Sequence, residues 1–310
     1  MRKTVLNQIF ELAKRDERVL FIGSDLGSGT LDEFRQHIPG RFFMEAISEA
    51  NVLGMATGFA LDGKIPYVNT IATFLTRRSF EQAVIDVGLH NARVRMIGNG
   101  GGLVYSPLGP THVATDDIGI FRTIPNMTII APADAREMRR LMPLTLEHPG
   151  PIYIRLAKGG DPIVTPEDGH FEIGKAIRMK EGRDALIVTT GTTLQIALEA
   201  AKDLSAAGIE TAILHMPTVK PLDTGSLLEY SSRVRVVATI EEHSLIGGLG
   251  SAVAEALVDW HAIPKDGLIR LGIPDRFVDA YGSQTELMNK YGINKGSLVS
   301  RIRERLGGAT

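Results

Sequence analysis

Two residues in this chain pair a reactive side chain with a place where chemistry is done. Glu49, within Ile47-Ser48-Glu49-Ala50-Asn51, heads a run of small and apolar residues that reads as a helix. A carboxylate there has two open roles. It can be an acid favoured by the helix dipole, worth a fraction of a kcal/mol, or a group that moves protons. His112 closes Gly109-Pro110-Thr111-His112, just after Gly98-Asn99-Gly100-Gly101-Gly102 and on the C-terminal side of a predicted strand. Open α/β sheets bind ligands at that edge. None of the eight histidines has the spacing of a metal site such as H-E-x-x-H, so place rather than residue type singles out His112.

Other motifs fail on their own chemistry. Gly169-His170-Phe171-Glu172-Ile173-Gly174-Lys175-Ala176 approaches a phosphate loop, but Ala176 stands where the metal-binding hydroxyl belongs. Gly247-Gly248-Leu249-Gly250 follows an apolar strand and opens a helix, yet Val253 takes the third small position of a dinucleotide fingerprint. Tight strand-to-helix packing is the role expected of it. The 98–102 run fails the same test at Leu103, while its glycines still suggest backbone open to a ligand.

The elements that must position these residues follow from hydrophobic periodicity. A helix over about 4–15 and a buried strand Val19–Gly23 are followed by a helix over 51–61. Strands at 66–71, 94–98, 127–131 and 151–156 alternate with helices near 74–90 and 133–147, which implies crossover units and a mainly parallel sheet. Turn-rich, polar sequence at 157–183 reads as a linker. A second alternation follows, with strands at 185–190, 210–215, 234–240 and 268–272 and helices between and after them. The expectation is an α/β chain of two domains, 1–158 and 184–310, joined by a linker at 159–183.

Composition narrows the class. In 310 residues, 34 Lys and Arg balance 36 Asp and Glu to a net charge of −2, too even a distribution for counterion-driven binding to nucleic acid or an anionic membrane. Without cysteine there are no disulfides and no thiolate metal sites. No apolar run approaches the roughly 18 residues that span a bilayer, and the segment 10–18 is too charged for a signal-peptide core. A cytoplasmic chain with no nucleic-acid or membrane partner is expected.

The motifs together resemble the transketolase family. Ala46-Ile47-Ser48-Glu49-Ala50-Asn51-Val52-Leu53-Gly54, Thr70-Ile71-Ala72-Thr73-Phe74-Leu75, Gly109-Pro110-Thr111-His112 and the segment Pro125 to Asp134 come in the family's order and spacing. Met216-Pro217-Thr218-Val219-Lys220-Pro221-Leu222-Asp223 and the segment Glu241 to Gly250 look like its C-terminal domain. The resemblance implies a pyrimidine-binding fold followed by a transketolase C-terminal fold. It also implies thiamine diphosphate as cofactor. The G-D-G signature of the diphosphate domain is absent, since the only Gly-Asp, Gly160-Asp161, is followed by Pro162. The chain therefore resembles the C-terminal subunit of a split transketolase. A partner chain with the diphosphate domain would bind Mg2+ or another divalent ion, in an α2β2 heterotetramer.

The same resemblance implies roles. Glu49 matches the acid that hydrogen-bonds the aminopyrimidine and drives the tautomer whose exocyclic nitrogen removes the thiazolium proton. Phe74 matches the aromatic residue stacked on that ring, with Phe80 as a second wall. His112 matches a substrate-contacting histidine. Arg155 and Arg2 match arginines that hold the acceptor's phosphate, a task suited to a guanidinium fork, and Ser28 stands near a phosphate-contacting serine. The departures cluster at the substrate end. Leu108 replaces an acid that contacts a sugar hydroxyl, Gly100 replaces a histidine, and Val113 replaces a glutamine. An apolar side chain cannot reward a buried hydroxyl, so an atypical ketose donor is expected, branched, deoxy or sulfonated. Within the same cofactor class, the β subunit of a 2-oxo acid dehydrogenase and deoxyxylulose phosphate synthase are alternatives. A non-catalytic scaffold subunit is the alternative outside it.

Overall fold

The computed structural model describes every residue except 25–28, 30, 158 and 308–310. The chain divides into two compact units, Met1–Gly101 with Ile120–Ile173, and Gly102–Gly119 with Gly174–Thr310. The segment carrying His112 thus belongs to the second unit, although sequence on both sides of it belongs to the first.

In the first unit, strands β1 (Val19–Gly23), β2 (Phe42–Met44), β3 (Ile65–Ile71), β4 (Arg95–Asn99), β5 (Thr128–Ile130) and β6 (Ile152–Leu156) lie side by side in the order β5-β6-β4-β3-β1-β2. Every pairing among them is parallel. β1 and β4 to β6 are buried throughout, as expected of sheets covered on both faces. The N-terminal helix Arg2–Arg15 covers the sheet with Val5, Leu6, Ile9, Leu12 and Ala13, an apolar stripe at helical spacing. Helix Glu49–Leu61 does the same with Val52, Leu53 and Ala56. Each such Leu, Ile or Val taken fully from water contributes roughly 1.5–3 kcal/mol.

In the second unit, β8 (Ala185–Thr189), β9 (Thr211–His215), β11 (Val236–Ser244) and β12 (Leu268–Ile273) form a parallel sheet in the order β12-β11-β8-β9. β7 (Ile177–Lys180) adds an antiparallel edge beside β9, and the short β10 (Thr218–Lys220) follows β9. Leu186, Leu214, Leu227, Val237, Val253 and Leu257 meet in its core.

Two of the differences from the sequence reading have a physical reason in the side chains. β7 lies inside the segment expected to be linker, because its residues, Ile-Arg-Met-Lys, carry the cationic pattern of a sheet edge rather than an apolar run. The helix expected over 74–90 is instead two π-turns, Phe74–Arg78 and Ala83–Gly88, around a short α-helical turn, Phe80–Gln82. Thr76 Oγ1 donates to Ala72 O at 2.8 Å and Ser79 Oγ to Leu75 O at 2.6 Å. Such back-bonding competes with the regular ladder and bends it.

Candidate functional site

The chain turns sharply into Glu49. Ala46 adopts φ 52°, a left-handed conformation costing an L residue roughly 1–2 kcal/mol, and Ser48 Oγ donates to Glu45 O at 2.6 Å. The turn delivers Glu49 to the first position of its helix, where the carboxylate meets the positive end of the dipole and is 3% exposed. Arg78 Nη1 donates to Glu49 Oε2 at 2.7 Å. The same guanidinium lies over the Phe74 ring, 4.6 Å from its centroid. Glu49 and Phe74 are thus brought together through Arg78, which sequence reasoning did not single out. The π-turn places Phe74 and Arg78 four residues apart on one segment, and such turns recur at functional sites. Phe80 is half-buried at the start of the following turn.

A second feature escaped sequence reasoning. β1 connects to β2 on one side and β3 to β4 on the other, so the β1/β3 boundary is the switch point of this sheet. At the C-terminal ends of its central strands lies a buried polar row, Ser24, Asn69, Thr70 and Asn99. Asn99 Nδ2 donates to Asn69 Oδ1 at 2.7 Å and to Thr70 O at 3.1 Å, while Ser24 Oγ and Thr70 Oγ1 are 3.1 Å apart. Asn69 Nδ2, Asn99 Oδ1 and, two residues beyond β3, Thr73 Oγ1 have no partner among the described residues. A buried polar atom left so costs about 1–3 kcal/mol, which a bound group can return. An asparagine near the C-terminal end of each of two buried strands was the available signal.

The other residues expected in the first unit are scattered in character. Gly100 has φ 73° and is buried. At Gly101 an added Cβ would lie 2.5 Å from Arg155 Cγ and Nε, so the Arg155 stem lies directly against glycine backbone. Arg155 itself is buried at the end of β6, whereas Arg2 is exposed at the start of its helix. Ser28 lies outside the described residues.

The second unit holds His112 and Leu108 on one loop. A 3-10 turn, Ser106–Leu108, leads into Gly109 at φ 81°, and His112 N donates to Gly109 O at 3.1 Å. His112 is half-buried, with Nδ1 2.9 Å from Thr111 Oγ1, and Leu108 is 55% exposed.

Two of the three glycine motifs are filled by the chain itself. Glu241 accepts from Leu249 N at 2.6 Å and Gly250 N at 2.7 Å, so a carboxylate already takes the anion site at that helix start. In the phosphate-loop look-alike, Gly174 N donates to Thr218 Oγ1 and Ala176 N to Asp223 Oδ2, each at 3.0 Å. Among the described residues, no cluster of three His, Cys, Asp or Glu could hold a metal, and no helix is long and apolar enough to cross a membrane.

Comparison with known proteins fits this geometry. Residues 1–160 match the family Transketolase, pyrimidine binding domain, and residues 174–298 match Transketolase, C-terminal domain. The chain is 35% identical to the 6-deoxy-6-sulfo-D-fructose transketolase subunit of Clostridium sp. (strain MSTE9), over 98% of this chain and 94% of that one. It is 34% identical to an apulose-4-phosphate transketolase subunit of Phocaeicola vulgatus, over 98% and 96%. A solved structure described as a split gene transketolase, inactive beta4 tetramer, superposes with TM-score 0.90 at 35% identity, covering 99% of this chain and 98% of that one. With both domains matched in order along its length, the chain belongs to the transketolase family, as a counterpart of the C-terminal subunits of its split members.

Proposed function

We propose that this chain is one half of a thiamine diphosphate-dependent transketolase. It would transfer a two-carbon ketol unit from an atypical ketose donor to an aldose acceptor, with a partner chain supplying the diphosphate and Mg2+ site in an α2β2 assembly. One observation carries the reading: a buried carboxylate, Glu49, and an aromatic face, Phe74, are bridged by a flat set of N–H donors. A guanidinium and an aminopyrimidine share a planar N–C–N edge, so what Arg78 satisfies a cofactor ring satisfies too. The unpartnered Thr73 hydroxyl at the head of the same turn fits a ring bearing further nitrogens.

The cofactor, once bound, supplies the electron sink for cleaving and re-forming the carbon–carbon bond. This chain's part is narrower. Glu49 would hold a proton toward the ring of the bound cofactor, and Phe74 would stack on that ring. His112 accepts or returns a hydroxyl proton of the substrate, and Arg155 and Arg2 hold the phosphate of the acceptor. Leu108 offers no partner to a hydroxyl, which disfavours donors that need one there. The names of the two relatives, a deoxy sulfosugar and an apulose phosphate transketolase subunit, support an unusual donor.

The test is reconstitution with a diphosphate-domain chain, thiamine diphosphate, Mg2+ and a panel of ketose donors. The lone chain is expected to be inactive and the pair active. Glu49→Gln in the pair should lower transfer by about 100-fold or more with an unchanged circular dichroism spectrum. Full transfer by the lone chain, or an active Glu49→Gln pair, would overturn the reading.

A further inference from the structure

We propose that Glu242 and Gln284 are positioning residues that aim the 102–119 loop, and with it Leu108 and His112, at the substrate. The inference rests on the reading above that this loop meets substrate, and names what holds it there. The loop is closed at its neck, where Gly102 N donates to Ala114 O at 2.9 Å and Ala114 N to Gly102 O at 3.0 Å. The next amide, Leu103 N, donates to Glu242 Oε1 at 2.6 Å. Gln284 Nε2 reaches both oxygens of the same buried carboxylate, at 3.0 and 2.9 Å. Approach this close needs glycine. Gly102 has φ 68°, and a Cβ there would lie 2.5 Å from Glu242 Cδ.

The brace continues along the segment before Gln284. Ser106 Oγ donates to Gly282 O at 2.8 Å, and a Cβ on Gly109 would lie 2.7 Å from the Tyr281 ring. That segment is itself fixed, since Ser283 and Glu286 form a capping box at the start of helix Gln284–Lys290. On the far side of the neck, Ser244 N donates to Thr115 O at 2.7 Å and Gly119 N to His243 Nε2 at 3.1 Å. Between these anchors the loop makes short-range turns, such as Leu108 N to Tyr105 O and Gly109 N to Ser106 O. These set its local shape but not its direction. Removing this acceptor alone would strand the Leu103 N–H and the Gln284 amide, and a buried donor left without a partner is costly. The carboxylate thus ties the neck of the loop to the start of helix Gln284–Lys290.

Glu242→Met keeps the volume and removes the acceptor, while Glu242→Gln can still accept from Leu103 and donate to a turned Gln284 amide. In the full chain, hydrogen exchange of amides 103–114 should speed about tenfold in Glu242→Met and stay near wild type in Glu242→Gln. The rest of the second unit should be unchanged. In the reconstituted pair, Glu242→Met should lower kcat/KM for the donor about tenfold while cofactor affinity stays within about twofold. The Gln variant should restore it. Wild-type exchange across the loop in Glu242→Met, or faster exchange spread evenly over the whole unit, would overturn the proposal. So would an unaltered kcat/KM. A wild-type pair inactive with every donor counts against the proposed function alone, and the exchange measurement then decides the clamp.

Discussion

At the scale of single residues, Leu108 is one of three positions, with Gly100 and Val113, that the family resemblance sets apart from the usual pattern. It is exposed on a turn held by Gly109 and so is free to meet a substrate. Leu108→Asp supplies a hydroxyl acceptor, and should raise kcat/KM for an ordinary pentose phosphate donor roughly tenfold relative to wild type in the reconstituted pair. Unchanged donor preference would remove Leu108 from the specificity determinants. Glu49, Phe74 and His112 could be put forward from sequence because each sits in a short contiguous motif. Arg78 and the pair Asn69 and Asn99 could not. Arg78 matters through contacts to a residue 29 positions upstream and across a π-turn. The asparagines matter because β3 and β4 are neighbours. A linear pattern carries neither relation.

At the scale of elements, the alternation of buried strands and amphipathic helices was readable because each element repeats its apolar period several times. The short strands β2 and β7, with partly exposed residues, offered too few repeats. The loop after helix Ala135–Leu144 shows how one buried cation can organise backbone. Arg95, fully buried in β4, donates from Nε to Thr145 O at 2.7 Å, from Nη1 to Gly150 O at 2.5 Å and from Nη2 to His148 O at 2.6 Å. Burial pulls its pKa down to about 10, which still leaves it charged at neutral pH. Arg95→Met should strand those carbonyls and cost roughly 3 kcal/mol or more, read as a lower urea midpoint. A midpoint equal to wild type would show that the loop closes without it.

At the scale of the whole molecule, acid stability has an identifiable contributor. Burial, and then the neighbouring Arg95 and Arg93, pull the His148 pKa from 6.5 to about 4. The folded chain therefore keeps this imidazole neutral while the unfolded chain protonates it. Stability from this source is complete above about pH 6.5 and is lost as pH falls toward 4. His148→Gln, which can retain the contact to Thr128 Oγ1, should show a shallower fall in melting temperature across that window than wild type. Parallel curves would exclude the histidine as the cause.

The domain pattern in the sequence and the compact units of the fold do not coincide, because residues 102–119 leave the first unit for the second and the chain then returns. A gene fragment ending at residue 160 would encode the whole pyrimidine-binding domain as its family defines it, yet its His112 loop would lack Glu242, Gly282 and Gln284. Heredity acts on the same arrangement. An exchange of C-terminal domains between split transketolases would replace the bed beneath a loop it left unaltered in sequence. Under the roles proposed for Leu108 and His112, substrate preference would then drift through a stretch of gene that encodes neither residue.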